Sequence, residues 1–412
     1  MTHSTASARA TQKTRLVLDY ITAHKNDLPT PLYLYSELAL NKAVAAYRDI
    51  FPNNAKLFYS LKANPQPGIV QHLSSLGLGA EITGKGELDI SNNAGMTKSS
   101  LLVGGVSKSE QFLTTLCHKK TAAIVIESET EWNRLKKVAH GAERVPILLR
   151  INPGKSFGGL NMAGGTQFGL SPEQGLLIAQ AATSLAHIEF LGLHFYFGSQ
   201  RLTVAPIIQA INVVEEIIEF FRGANLDLKV VDIGLGCGVP YVAKDSALDM
   251  SALRQQLWLR WQSDTWLPIE IWAEAGRALV ASAGYFVARV TERKCLHGKT
   301  FVFLDGGLNV HNPGVGLGRF FRSNPVFLFI TATPDDSVES IDIVGNLCTS
   351  ADCFGQNVEA PRLSEGDLVV ISNAGAYCQT TALWGFNSQP SFEEAMLMGD
   401  GTLKMLLAQH CL

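Results

Sequence analysis

The sequence lacks the features that mark several large classes of protein. Its seven cysteines include no CxxC pair and are odd in number, which argues against a disulfide framework or a structural zinc site and for reduced thiols. No apolar run is long enough to span a membrane, and residues 1–15 lack the apolar core of a signal peptide, so we expect a cytoplasmic protein with no membrane partner. The net charge of −3 gives no indication of a nucleic-acid partner.

What the sequence does contain is a regular alternation of strand-like and helical segments. The 412 residues, 46% hydrophobic and 17% charged, suit a globular enzyme of two or three domains. Eight apolar runs with helical patterns between most of them predict a (β/α)8 TIM-like barrel over residues 41–277, with a doubly wound open sheet as the alternative. The runs lie at residues 57–61, 79–83, 101–104, 122–127, 146–151, 188–196, 228–233 and 268–273.

From residue 278 onward the pattern changes to strands with little helix between them. Apolar runs at residues 285–289, 300–304, 326–330, 340–344 and 368–371 predict an all-β domain over residues 278–412. A further strand at residues 32–35 follows a short amphipathic helix. We expect this N-terminal segment, residues 1–40, to join the β domain.

Polar residues and glycines collect where the predicted barrel strands end. In such barrels the chemistry lies at the C-terminal ends of the strands, so their convergence there indicates a site. The residues are Lys62, Glu81, Arg150, Asn152, His194, Tyr196, Gly198, Ser199, Gly234, Gly236, Gly238, Glu274, Gly276 and Arg277.

The chemistry of these residues is complementary. Lys62 is either a solvated strand end or a desolvated amine that could form a Schiff base with a carbonyl. The glycine loop after the seventh strand can offer backbone N–H groups to a phosphate, to which Arg277 adds a bidentate charge and Ser199 a hydroxyl. With the Glu274 carboxylate for a pyridinium nitrogen, the set describes a pyridoxal 5'-phosphate (PLP) site.

Five segments in order resemble motifs of the fold-type III PLP-dependent enzymes, the diaminopimelate, ornithine and arginine decarboxylase family. This similarity covers the chain from about Leu32 to about Leu397 and implies a barrel plus a β domain, assembled as a homodimer with sites at the subunit interface. The segments are Y-S-L-K-A-N at residues 59–64, G-L-H-F-Y-F-G-S-Q at 192–200, A-E-A-G-R at 273–277, G-N-L-C-T-S-A-D at 345–352 and N-A-G-A-Y at 373–377.

The resemblance implies a role for each matching residue. Lys62 would carry PLP, Glu274 would contact its ring nitrogen, and Cys348 from the partner subunit would return a proton to the α carbon after carbon dioxide leaves. The further residues expected to bind the cofactor, mainly its phosphate, are Glu81, His194, Tyr196, Ser199, Gly236, Cys237, Gly238, Gly276, Arg277 and Tyr377.

Ala275 and Asn346 each stand where the family motif has a proline, and three further departures bear on function. Tyr196 stands where the family has a second histidine, and Leu235 interrupts the usual glycine triplet. Thr349 replaces an Asp or Glu that contacts the far amine of the substrate, which removes a charge-assisted hydrogen bond worth about 1.5–3 kcal/mol. We therefore predict that ornithine, lysine and meso-diaminopimelate are poor substrates.

Residues 160–171 indicate which branch of the decarboxylase family the chain resembles. They resemble the M-A-G-x-x-T-Q-F-G-x-S run of siderophore-pathway decarboxylases, such as the staphyloferrin B decarboxylase, which also carry a Cys-Thr pair. The resemblance predicts an acidic, acylated diamino acid as substrate, with Thr349 and Asp352 at its binding site. His311, Arg319 and Arg322 could reach its carboxylates, although charged residues of this kind are more often simply solvated.

Three alternatives remain open at this level. The chain could be a diaminopimelate decarboxylase of lysine biosynthesis. It could be an amino-acid racemase that uses Lys62 and a tyrosine as opposed bases, for which Tyr196 is the relevant feature. It could also be a non-catalytic relative, against which the intact Lys62, Glu274, Arg277 and Cys348 weigh.

Overall fold

The computed structural model describes residues 12–141, 144–312, 323–332 and 337–407. Arg319 and Arg322 therefore lie outside the described residues. The chain divides into two compact units, of which the barrel unit holds residues 44–239 and 247–278 and the β unit holds the remaining described residues. The sequence pattern placed boundaries after residues 40 and 277 and did not indicate that the short segment 240–246 belongs with the β unit.

The described residues form ten α-helices and nineteen strands. The strands are β1 Leu32–Ser36, β2 Lys56–Ser60, β3 Gly79–Ile82, β4 Leu101–Val103, β5 Ala123–Ile126, β6 Val145–Arg150, β7 Leu160–Asn161, β8 Ile188–Tyr196, β9 Gly198–Ser199, β10 Val230–Gly234, β11 Glu270–Ala275, β12 Gly284–Leu296, β13 Lys299–Leu304, β14 Phe327–Ile330, β15 Val338–Val344, β16 Cys353–Pro361, β17 Leu368–Ile371, β18 Glu393–Leu397 and β19 Leu403–Met405. The helices are α1 Gln12–Ala23, α2 Glu37–Arg48, α3 Pro67–Ser75, α4 Lys85–Asn93, α5 Glu110–Cys117, α6 Glu129–Val138, α7 Pro172–Thr183, α8 Val204–Gly223, α9 Met250–Trp261 and α10 Arg277–Val280. None of these helices combines the length and the apolar character that crossing a membrane requires.

Eight parallel strands close into a barrel in the order β10-β11-β2-β3-β4-β5-β6-β8. Each predicted barrel run overlaps one of these strands, so the (β/α)8 prediction is confirmed and the open sheet is excluded. Their inward side chains pack into an apolar cluster inside the barrel. Its buried members are Phe58, Leu102, Ala123, Val125, Leu148, Val230 and Trp272.

A polar layer lies directly above this apolar cluster, toward the C-terminal ends of the strands. Side chains two residues apart on a strand point to the same face. The inward side chains that follow the apolar ones are therefore Ser60, Glu127, Arg150, Asp232 and Glu274, all of them buried. The strand period of two thus places a charged site on a hydrophobic base.

The β unit contains a nine-stranded sheet in which the N-terminal strand is central. Strand β1 pairs antiparallel with β12, with Leu32 opposite Val287, and parallel with β18. Helix α1 packs Val17 and Ile21 against the same core as Leu32. The prediction that the N-terminal strand joins the β domain is confirmed.

Strands β16, β18 and β19 were not predicted. Strand β16 contains Gly355, Gln356 and Asn357, which have low strand propensity, and Asn357 adopts a positive φ of 49°. The strand is held by antiparallel pairing with β15, with register shifts beside these residues. Tertiary pairing therefore overrides local propensity here.

Candidate active site

Lys62 lies just beyond the end of strand β2. The strand ends at Ser60, and Leu61–Ala63 form one turn of 3₁₀-helix that the Tyr59 hydroxyl fastens by donating to the Asn64 carbonyl at 2.7 Å. The Lys62 side chain is 40% exposed, and its Nζ lies 3.2 Å from each carboxylate oxygen of the buried Glu81. Lys62 is thus neither of the two extremes considered from the sequence: it is a partly solvated amine held by a buried carboxylate.

Three buried polar side chains meet on the adjacent strands β8, β10 and β11. Asp232 stands opposite His194 in the strand register, and Glu274 follows two residues after Trp272, the other neighbour of Asp232. His194 Nε2 lies 3.2 Å from Glu274 Oε1 and 3.7 Å from Asp232 Oδ2.

The two carboxyl groups of this cluster have opposite pKa shifts. Burial, reinforced by the charge of Glu274, raises the pKa of Asp232 well above its ordinary value. Burial also acts to raise the pKa of Glu274, but the charge of His194 and its hydrogen bond outweigh burial and lower that pKa. The opposite shifts place the proton of the pair on Asp232 and the negative charge on Glu274.

A glycine loop follows strand β10 and packs backbone to backbone against residues 198–201. Gly236 has a φ of +68°, and a Cβ at this position would collide with the Gly198 carbonyl oxygen, so only glycine allows the approach. The Arg201 amide donates to the Gly236 carbonyl at 3.0 Å, and the Gly238 amide donates to the Arg201 carbonyl at 2.8 Å. Ser199, buried within strand β9, belongs to the same pair of segments.

Gln200 ties Arg277 to this loop. The Arg277 guanidinium is buried and donates from Nη1 to Gln200 Oε1 at 3.3 Å. The same amide accepts from the Val239 N–H and donates to the Val239 carbonyl at 2.6 Å. Loop, serine and guanidinium together make a cradle for an anion.

The Tyr196 ring lies over Gly234, where a Cβ would collide with the ring. Its centroid is 5.8 Å from Lys62 Nζ and 5.9 Å from Arg150 Cζ. The ring is half-buried, so it presents an aromatic surface beside the amine of Lys62 at the mouth of the barrel.

Cys348, Thr349 and Asp352 share one loop of the β unit. Cys348 is exposed, and its amide donates to Asn387 Oδ1 at 2.9 Å. Asp352 is only 3% exposed and accepts the Leu308 and Leu347 amides at 2.8 and 2.7 Å. Asp352 therefore shapes the loop, and the prediction that it binds substrate is corrected.

His311 is a core residue of the β unit rather than a residue that faces a substrate. It is 1% exposed, stacks on Phe286 with ring centroids 4.4 Å apart, and hydrogen-bonds the Tyr33 hydroxyl at 2.9 Å. Burial lowers its pKa to about 3, so it is neutral and offers no charge to a carboxylate. Contrary to the sequence-based expectation, His311 is neither accessible nor cationic.

Tyr377 lies in the same unit, buried and with a positive φ of 65°. Its carbonyl accepts from the amide and the hydroxyl of Thr381.

The structure also reveals buried charges that the sequence reasoning left without a role. Arg150 donates to both oxygens of Glu127, at 2.8 and 2.9 Å. Asp232 and Arg201 are buried as well. A single aspartate inside the apolar run V-V-D-I-G was a usable signal for Asp232, since buried charges are rare without a partner.

The barrel residues fit a PLP site on their own chemistry. Lys62 supplies an amine for a carbonyl, Glu274 an ionised carboxylate for a protonated ring nitrogen, and the loop with Arg277 a cationic cradle for a phosphate. The roles of the individual residues, including Cys237 and Gly276 in the loops, remain predictions.

Comparisons with known proteins agree with this chemistry. Residues 38–281 match the family model described as pyridoxal-dependent decarboxylase, pyridoxal binding domain. The L-glutamyl-[BtrI acyl-carrier protein] decarboxylase of Niallia circulans is 32% identical over 371 residues, which cover 87% of this chain and 86% of that protein. The diaminopimelate decarboxylase of Aquifex aeolicus is 28% identical, over 92% and 88% of the two chains.

A solved structure shares the fold over nearly the whole chain. The I148L variant of Helicobacter pylori diaminopimelate decarboxylase, complexed with L-lysine, superposes with a TM-score of 0.83 at 28% identity, covering 92% of this chain and 94% of that one. The match spans both the barrel and the β unit. This chain belongs to the family of PLP-dependent ornithine, arginine and diaminopimelate decarboxylases.

Proposed function

We propose that this enzyme decarboxylates an α-amino acid whose side chain ends in an acyl group rather than in a free amine. The observation that carries the proposal is the loop around Cys348. Thr349 is neutral, and the only carboxylate of residues 345–352, that of Asp352, is buried and accepts two backbone amides. The loop therefore has no carboxylate available for a distal ammonium group, and a substrate with a free far amine would leave that charge unpaired.

PLP, when bound, would supply an electron sink for the α carbon, which is the chemistry that loss of carbon dioxide requires. Lys62 would carry the cofactor, with Glu81 orienting its amine. Glu274, kept ionised by His194, would hold a proton at the ring nitrogen, and the Tyr196 ring would supply an aromatic surface beside Lys62. Cys348 Sγ would then return a proton to the α carbon.

Two conjugates are consistent with this proposal. Residues 160–171 resemble the siderophore branch, which favours a small acidic conjugate such as citryl-diaminopropionate. The relative from Niallia circulans is named for a glutamyl group attached to an acyl-carrier protein, which favours an amino acid on a carrier. Neither conjugate has a free amine at the far end of its side chain.

The test is carbon dioxide release by the PLP-loaded protein. The substrates are ornithine, lysine, meso-diaminopimelate, a citryl-diaminopropionate conjugate and a glutamyl-carrier protein. Release from either conjugate alone supports the proposal and identifies the conjugate. Rapid release from meso-diaminopimelate overturns it in favour of a diaminopimelate decarboxylase, the activity that relatives at 28% identity are named for.

Thr349→Asp sharpens this test. An introduced carboxylate should improve decarboxylation of meso-diaminopimelate or lysine by about 10-fold or more relative to the conjugate, and Thr349→Ser is the matched neutral control. If the two variants behave alike, residue 349 does not contact the far end of the substrate. Chiral analysis of recovered substrate addresses the racemase alternative, because decarboxylation alone leaves its configuration unchanged.

We further propose a homodimer in which Cys348 completes the site of the second copy. Cys348 is exposed, and Leu383, Trp384 and Phe386, close in sequence to its partner Asn387, are exposed apolar side chains. A surface of this kind favours burial in an interface. Sedimentation would give the oligomeric state, and mixed Lys62→Ala and Cys348→Ala subunits should recover activity that neither variant has alone; no recovery would contradict a shared site.

A further inference from the structure

Arg201 is a buried arginine fastened to the glycine loop, and no motif assigned it a role. It is 2% exposed. Its backbone bridges to Cys237, with hydrogen bonds to Gly236 and Gly238. Its Nη1 donates to the Leu235 carbonyl at 3.1 Å. The guanidinium is therefore fixed to the loop through both its backbone and its side chain.

Two nitrogens of this guanidinium have no hydrogen-bond partner among the residues that the structure describes. Nε and Nη2 are both buried, and none of the carboxylates that the structure describes forms an ion pair with Arg201. Although burial lowers its pKa, a guanidinium stays protonated in proteins. A buried charge without a counter-ion costs free energy, so we expect an anion to bind beside this guanidinium.

The neighbouring groups indicate which kind of anion fits. Arg277 is tied to the same loop through Gln200, and Ser199 lies in the segment packed against it. Cys237, whose backbone bridges to Arg201, is buried, and burial raises its pKa to about 12, so its thiol is neutral and cannot balance the charge. Two guanidinium groups, a hydroxyl and a glycine loop match a doubly charged phosphate.

We propose that Arg201 binds the phosphate group of PLP as a second guanidinium beside Arg277. Leu235, which departs from the glycine triplet of the family, contributes the carbonyl that holds the Arg201 side chain in place. The inference rests on the cofactor and not on the substrate, so it stands whichever amino acid is decarboxylated.

The test compares PLP with pyridoxal, which lacks the phosphate, on cofactor-free protein. Arg201→Met should weaken PLP binding about 10- to 100-fold, which is about 1.4 to 2.8 kcal/mol, and change pyridoxal binding less than 3-fold. The readout is the absorbance of the bound cofactor during titration. Arg222→Met, which removes a partly exposed guanidinium of helix α8 in the same unit, is the matched control and should change neither affinity.

Thermal unfolding separates this role from a structural one. If Arg201 binds phosphate, the cofactor-free Arg201→Met variant has a Tm equal to or higher than that of cofactor-free wild type. PLP or inorganic phosphate then raises the Tm of the variant much less than it raises the Tm of wild type. An equal fall in Tm with and without PLP, together with an unchanged ratio of PLP to pyridoxal affinity, would overturn the proposal and make Arg201 a support for Leu235.

A second variant keeps the test decisive if Arg201→Met does not fold. Arg201→Lys retains a charge but not the planar fork, so it should lose PLP affinity to a smaller extent while pyridoxal affinity is unchanged. An equal loss for both ligands would contradict phosphate binding. Failure of wild type itself to prefer PLP over pyridoxal would contradict the phosphate cradle as a whole, and the panel of substrates would still test the decarboxylation separately.

Discussion

The candidate residues at the mouth of the barrel and Cys348 in its loop differ in how far they are buried. In the barrel, His194, Asp232 and Glu274 are buried and lie within 4.8 Å of one another. In the β unit, Cys348 is exposed, and its amide donates a hydrogen bond to Asn387 Oδ1.

This contrast separates a prearranged site from one that needs completion. Buried charges acquire shifted pKa values and fixed positions, which is what binding and polarising a cofactor requires. An exposed thiol such as that of Cys348 lacks this burial, and it becomes an effective proton donor only where water is excluded. The comparison therefore predicts a graded set of effects, strongest in the barrel and weakest in the core of the β unit.

The largest effect should come from Lys62→Ala. Loss of the amine removes the residue proposed to carry the cofactor, and turnover should fall by roughly 10⁴-fold with loss of the absorbance of lysine-bound PLP. Lys56→Ala is the matched control, because Lys56 is an exposed lysine at the start of the same strand, paired with Glu270. Full activity in Lys62→Ala would remove the barrel mouth as the site.

Cys348→Ala should have the next largest effect. Without a proton donor at this position, we expect turnover to fall about 10²-fold, while PLP absorbance stays that of wild type because the barrel is unchanged. Cys295→Ala, at another exposed cysteine of the β unit, should leave turnover intact. Equal rates in the two variants would show that the proton comes from elsewhere.

Asp232→Asn tests the shared proton in the barrel. The pKa of Asp232 is raised in the folded state, so its contribution to stability is full below about pH 4, the unfolded pKa, and is lost as pH rises toward the folded pKa. Because the pKa of Glu274 is lowered in the folded state, its contribution to the stability of the fold is lost only at acid pH.

The asparagine variant should therefore gain stability relative to wild type as pH rises above the unfolded pKa of about 4, by up to about 1.4 kcal/mol per pH unit. The measurement is Tm against pH. The control is Asp89→Asn at an exposed position, whose Tm should differ from that of wild type by the same amount at each pH. The same pH-independent Tm difference for Asp232→Asn would mean that Asp232 and Glu274 do not share a proton.

The smallest effect on activity should come from His311→Phe. Because burial lowers the folded pKa of His311 to about 3, the unfolded chain gains a proton first, and wild-type stability is lost as pH falls from about 6.5 toward 3. Phenylalanine keeps the stacking on Phe286 and removes this loss, about 2 kcal/mol at pH 5.

Denaturant unfolding at pH 5 and pH 7 measures the difference, with the exposed His24→Phe as control. Turnover on the accepted substrate should be unchanged. A large loss of substrate affinity in His311→Phe would restore the binding role that its burial argues against.

Periodicity carried most of the fold prediction. The barrel strands are near-continuous apolar runs, and such runs were readable because parallel strands are buried on both faces. Strand β16 was not predicted, because Gly355 and Asn357 disfavour a strand and the segment becomes one through its pairing with β15. In the site, Lys62, Glu274 and Arg277 could be named from strand ends, whereas Arg201 and the protonation of Asp232 could not, because their meaning depends on burial and on neighbours from other strands.

The sequence by itself determined the eight-strand alternation, the presence of the β domain and the chemical types gathered at the strand ends, because these follow from local periodicity and from where polar residues interrupt it. Only the tertiary structure decided which of them carry charge and which are accessible. From their side-chain chemistry His311 and Asp352 were expected to bind substrate, but they are buried in the fold. Nothing in the sequence distinguished Arg201 from other basic residues, whereas in the described structure two of its buried nitrogens have no hydrogen-bond partner. Solvation and the geometry of non-local neighbours set these properties, and neither is a function of the local sequence.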